Sequence, residues 1–119
     1  MTVLECYEAM QGDYNDVMNR LPREESVKKF LGKFLDAQDY NNLMAALEAK
    51  DWEAAFRASH TMKGVTANLS ISKLSASVAE LCETMRGGAP KEDITGLIET
   101  VKDDYAVTVA AIHKLLEEG

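Results

Sequence analysis

The sequence predicts an all-α protein, an antiparallel four-helix bundle preceded by short additional N-terminal helices. Three observations carry this reading. Apolar residues recur at spacings of three and four along nearly the whole chain. Only two prolines interrupt 119 residues. The breaks between periodic stretches are short, which makes consecutive helices antiparallel neighbours. No stretch alternates with the period of a strand, and no internal repeat, low-complexity tract or linker is present.

Each element has its own signal. Thr2 with Glu5 predicts a capping box for a first short helix ending near Gly12. Asp13 caps a second, which stops before Pro22 because the residue ahead of a proline disfavours helical dihedrals. Val27, Phe30, Leu31, Phe34 and Leu35 then fall on one helical face, and Tyr40, Leu43, Met44 and Leu47 continue the pattern. Periodicity leaves open whether 23–49 is one helix or two, broken near Asp36–Asp39. Asp51 is the expected N-cap of a helix running through His60 to about Leu69, with Ala55, Ala58, Met62, Val65 and Leu69 as its buried stripe. A further helix is expected over Ser72–Arg86, facing inward through Leu74, Val78, Leu81 and Met85. Gly87-Gly88-Ala89-Pro90 is a turn: glycines stop one helix and proline begins the next. The last helix is expected from Lys91 towards Glu118, with Leu97, Val101, Tyr105, Val109, Ile112 and Leu116 facing in.

The length suits one domain over 1–119, with 1–21 as a helical cap and 22–119 as the bundle. It allows a real core without disulfide or metal staples. No apolar run is long enough to cross a membrane, and the start lacks the basic and apolar parts of a signal peptide, so a cytoplasmic monomer is expected. Cys6 and Cys82 have no metal-like spacing and read as reduced and structural, and Met10, Met18, Met44, Met62 and Met85 read as core fillers. A net charge of −7 argues against a nucleic-acid partner, since phosphate backbones select basic surfaces.

Chemistry concentrates in Ser59-His60-Thr61-Met62-Lys63-Gly64-Val65-Thr66-Ala67-Asn68-Leu69. At about 100° per residue, His60 lies roughly 160° from Met62 and roughly 140° from Val65, so it points away from the core. Phe56, Lys63, Gly64 and Ala67 share its face. Glycine inside a helix costs about 1 kcal/mol relative to alanine and needs a reason. At His60 plus four, that reason is clearance for a bulky partner; close helix packing is the alternative. Lys63 supplies a cation one turn from the imidazole. No Asp or Glu stands between Glu53 and Glu80, whereas Arg57, Lys63 and Lys73 do, which reads as a basic zone suited to a transient anion.

The string His60-Thr61-Met62-Lys63-Gly64 resembles the H-x-[LIM]-K-G signature of histidine phosphotransfer domains. The likeness runs over about 27–88, upstream through Leu47-Glu48-Ala49-Lys50-Asp51-Trp52 and downstream through Asn68-Leu69, Leu74 and Leu81. Two positions depart from the family pattern: Ser70 stands where glycine is frequent, and Ala67 where glycine or another small residue is. The resemblance implies that His60 is the phosphoacceptor, that Lys63 assists the phosphate and that Gly64 provides space. It implies a covalent carrier in a phosphorelay, accepting from and donating to response-regulator receiver domains, one of them on a hybrid sensor kinase. Magnesium is expected on the receiver, with no cofactor of the chain's own. No ATP-binding motif is present, so no autokinase activity is expected.

Blander readings stand beside these. A helical adaptor binding its partner without phosphorylation is the rival function. A carboxylate-metal bundle would need inward Glu-x-x-His pairs, and the chain has none. Trp52 and Phe56 suit docking or bundle-edge packing equally. His113 reads as a flank residue. Cys82 and Arg86 lie on the helix expected beside His60, but spacing does not fix that helix's rotation. The residues leave open which receivers take part, and whether the chain acts alone or within a larger kinase.

Overall fold

The computed structural model describes residues 1–118 and is all-helical over them. Thr2 Oγ1 accepts from the Glu5 amide at 3.1 Å, and the Glu5 carboxylate accepts from the Thr2 amide at 2.8 Å. This box starts α1 (Val3–Ala9). The Asp13 carboxylate accepts from the Asp16 amide and starts α2 (Tyr14–Arg20), which ends at Leu21 ahead of Pro22.

The 23–49 stretch forms two helices, α3 (Glu24–Asp36) and α4 (Asp39–Ala49). Ala37 is extended between them. The break lets both helices pack round one ring of α7 (Thr95–Glu118). Tyr40 stacks flat on Tyr105 with centroids 3.6 Å apart, while Phe34 tilts against Tyr105 from the other helix at 6.0 Å. Lys50 then turns left-handed at φ 56°, and α5 (Trp52–Asn68) begins two residues later.

Helix α6 (Ser72–Thr84) packs on α5, as α4 also does, and α7 packs on α6 and α3. Leu74, Val78, Leu81 and Met85 are all buried, as their spacing predicts. They meet Leu31, Leu43, Met62, Val101, Ile112 and Leu115 in the core. Each such side chain removed from water contributes about 1.5–3 kcal/mol.

Two expectations about α7 need correction. It begins at Thr95 rather than Lys91, because the Asp93 carboxylate accepts from both the Thr95 amide (2.9 Å) and the Thr95 hydroxyl (2.7 Å) and fixes the start there. Its inward stripe is also rotated. Val101, Asp104, Thr108, Ala111, Ile112 and Leu115 are buried; Leu97, Tyr105 and Val109 are half-buried, and Leu116 is exposed. The rotation puts Asp104 within 2.9 Å of Lys73 on α6, a polar contact that apolar periodicity does not register.

Candidate functional site

The direction in which α5 presents each side chain is set by two small hydroxyl residues. Ser59 and Thr66 are fully buried, whereas Ala58 and Val65, expected on the buried stripe, are half-buried. Burial is cheap here because the helix itself satisfies the hydroxyls. Ser59 donates to the Phe56 carbonyl at 2.9 Å, and Thr66 to the Met62 and Lys63 carbonyls at 2.9 and 3.1 Å. The buried stripe is therefore Ala55, Ser59, Met62, Thr66 and Leu69. His60 stays on the opposite side and is exposed. Among the described residues its imidazole has no hydrogen-bond partner, so neither ring nitrogen is engaged.

Gly64 lies one turn along the same face. A Cβ built there would meet nothing within 4 Å. Close helix packing is thus not the reason for this glycine, and the space beside the imidazole is open. Lys63 is half-buried and forms no ion pair among the described residues. The wider basic zone is thinned by pairing within the chain, weakly at Arg57, whose pair is open to water, and more firmly at Lys73. Arg57 pairs with Glu53 on its own helix at 3.4 Å, and Lys73 is taken by Asp104. Lys63 alone of the three remains unpaired.

Two residues from α6 and its end complete the surroundings. Arg86 lays its guanidinium over the Phe56 ring, 5.3 Å from the centroid, and that ring lies 5.8 Å from the His60 imidazole. Cys82 is buried beneath, its Sγ 4.0 Å from the Phe56 carbonyl. Arg86 thus borders the site and Cys82 supports its floor, a distinction that depends on the rotation of α6. Phe56 and Trp52 are both half-buried and line one cleft with Gly87 and Gly88. His113 is exposed on α7.

On the other flank, Leu21, Phe30, Phe34 and Val65 wall an apolar hollow of about 420 Å³, with Arg20 and Lys33 among its residues. No carboxylate lines it. Phe30 is 40% exposed there, with the Lys33 ammonium 5.3 Å from its ring.

The far end of α5 is held by the first 21 residues. The Asn68 carbonyl accepts from Arg20 at 2.6 Å, the Leu69 carbonyl from the Tyr7 hydroxyl at 2.7 Å, and the Ser70 carbonyl from the Asp13 amide at 2.8 Å. These are acceptors that a helix end leaves without internal partners. Ser70 itself turns left-handed at φ 56°, the conformation for which glycine is the usual residue. The serine has a compensating contact: its hydroxyl donates to Asp16 at 2.6 Å and accepts from Arg20 at 3.0 Å. The departure from the family pattern at this position thus exchanges backbone freedom for a side-chain tie to α2. Gly12 is required for the same junction, since a Cβ there would sit 2.7 Å from the Ser70 carbonyl oxygen and from Tyr7 Cδ2.

Among the described residues no group of three His, Cys, Asp or Glu side chains could hold a metal ion, and no helix is long and apolar enough to cross a membrane. Cys6 and Cys82 are free and buried, and burial pushes the Cys6 thiol up to about 11. The sequence model of the Hpt domain matches residues 30–118. No curated protein and no solved structure matches the chain. With that match covering most of its length, the chain belongs to the Hpt domain family, helical phosphocarrier modules of two-component phosphorelays that interact with receiver domains of response regulators and hybrid kinases.

Proposed function

We propose that His60 accepts a phosphoryl group from a receiver-domain aspartyl phosphate and passes it to the aspartate of another receiver. One observation carries the assignment: an exposed imidazole with no partner stands beside a glycine with nothing within 4 Å of its Cβ position. In the forward step the lone pair of the unprotonated imidazole nitrogen attacks phosphorus in line. An N–P bond forms, the acyl phosphate P–O bond breaks, and its electron pair leaves with the receiver's carboxylate. Neutral imidazole needs no base to remove a proton first. Lys63 offsets charge on the transferring group, and Gly64 admits the receiver's phosphorylated loop.

Magnesium and the aspartate pocket belong to the receiver in this reading. The chain contributes a nucleophile, a cation and a docking face, and acts as a cytoplasmic monomer without ATP-dependent activity of its own. The hollow beside Phe30 supports docking of an apolar receiver surface, and Lys33 there favours an acidic rim on the partner. The test is label transfer. Mixed with a phosphorylated receiver domain, the chain should acquire phosphate on His60 as an acid-labile, base-stable phosphoramidate. A chain that binds the receiver and never takes up label would be an adaptor instead.

A further inference from the structure

Arg86 stands just past the end of α6, and its guanidinium is only partly used. Its Nε donates to both Glu83 carboxylate oxygens, at 3.2 and 3.1 Å. Arginine has five N–H donors, and the four on its Nη atoms have no partner among the described residues. The pair is open to water, with side chains 54% and 67% exposed. An exposed pair of this kind is held weakly. Phe56 is the common neighbour of Arg86 and His60, so the guanidinium rests on an apolar platform next to the imidazole. Glu53, which lines the cleft beside Phe56, lies 3.4 Å from Arg57 on its own helix.

We infer that Glu83 and Arg86 form a counter-ion exchange device for the phosphorylated site, an inference that rests on His60 being the phosphoacceptor. With His60 unmodified, Glu83 holds Arg86. Once His60 carries a phosphoryl group, Arg86 moves along Phe56 to that group and leaves Glu83 to water. A phosphoryl group brings about two negative charges and three acceptor oxygens, which match the guanidinium fork better than one exposed carboxylate does. Departure of the phosphoryl group returns Arg86 to Glu83. The phosphate is then flanked by Lys63 and Arg86, and Glu83 sets how readily the second cation is released to it.

The test needs no receiver. Potassium phosphoramidate is used to phosphorylate the folded chain, and the phosphate is titrated by its 31P chemical shift. Labelling lost in His60→Gln identifies the resonance. The wild-type phosphate should titrate lower than that of Arg86→Gln, by on the order of half a pH unit, because a cation favours the more charged form. Glu83→Gln should lower it further. In the Glu83→Gln/Arg86→Gln double variant the Glu83 effect should vanish, since no guanidinium remains to be released. All three changes lie on exposed side chains outside the core. Equal titration of wild type and Arg86→Gln overturns the proposal, as does a Glu83→Gln effect that persists undiminished without Arg86. Absence of label from His60 in the wild type overturns the phosphoacceptor assignment, and this proposal with it.

Discussion

The hydroxyl of Tyr7, on α1, donates a 2.7 Å hydrogen bond to the main-chain carbonyl of Leu69, where the helix bearing His60 ends. Both residues are buried, and burial holds the Tyr7 hydroxyl well above the ordinary tyrosine range. Tyr7→Phe keeps the ring and leaves the carbonyl without its donor. A loss of about 1–3 kcal/mol follows, seen as a lower urea midpoint with unchanged slope. Phosphotransfer measured well below the unfolding transition should be unaltered, because the contact lies at the end of α5 remote from His60.

Ser70 combines a left-handed backbone with a hydrogen bond, and two substitutions separate them. Ser70→Ala loses the bond and keeps the strain; Ser70→Gly loses the bond and relieves it. The glycine variant should be the more stable of the two by about 1 kcal/mol, measured by chemical denaturation.

The same serine gives a pH signature. Its hydroxyl first, and then Arg20, hold the Asp16 carboxyl below its ordinary value of 3.8. A carboxyl depressed by folding adds stability that is present above 3.8 and lost as pH falls from there through the folded value. The stability difference between wild type and Ser70→Ala should therefore narrow as pH drops below that point. A gap of constant size from pH 6 down to pH 2 would show that Asp16 takes no part.

Gly64 should behave as a site where stability and function part company. Nothing in the fold uses the space, so Gly64→Ala should stabilise α5 by about 1 kcal/mol. Gly64→Gln should fold as well and block label transfer from a phosphorylated receiver by covering the imidazole. Transfer at the wild-type rate in Gly64→Gln would remove clearance as the role of this glycine.

Chemistry should follow His60 and Lys63 and no other cation of the former basic zone. His60→Gln should abolish labelling and His113→Gln leave it intact. Lys63→Ala should slow transfer by roughly ten- to a hundredfold if one charge-assisted contact of about 1.5–3 kcal/mol is fully expressed in the transition state. The loss is smaller where water screens the ammonium. Arg57→Ala and Lys73→Ala should transfer normally, Arg57 being paired to Glu53 and Lys73 to Asp104. Lys73→Ala should be less stable, because Lys73 is Asp104's one partner among the described residues and the other Asp104 carboxylate oxygen has none among them.

Features written locally in the chain are legible in its sequence. The Thr2–Glu5 box, the Asp13 and Asp51 caps and the Gly87-Gly88 stop each lie within a few residues of the backbone they satisfy. The outward direction of His60 was legible too, since Met62 fixes the core side. What escaped depends on polar groups doing core work. Ser59 and Thr66 bury their hydroxyls on their own helix, and Asp104 goes inside because Lys73 reaches it, so apolar periodicity misjudged the rotation of α5 and α7. Arg86 on Phe56 and the ties from Tyr7, Arg20 and Asp13 join residues far apart in the chain, and no spacing rule reaches them.

Those N-terminal ties bear on how the domain could be transplanted. The family match begins at residue 30, yet the acceptors at 68, 69 and 70 find their donors at 20, 7 and 13. A fusion cut at the family boundary would carry the histidine and its flanking residues but leave the end of their helix frayed. The portable unit of this protein therefore starts well upstream of its recognisable one, and grafts that keep α1 and α2 should be the ones that hold α5 in register.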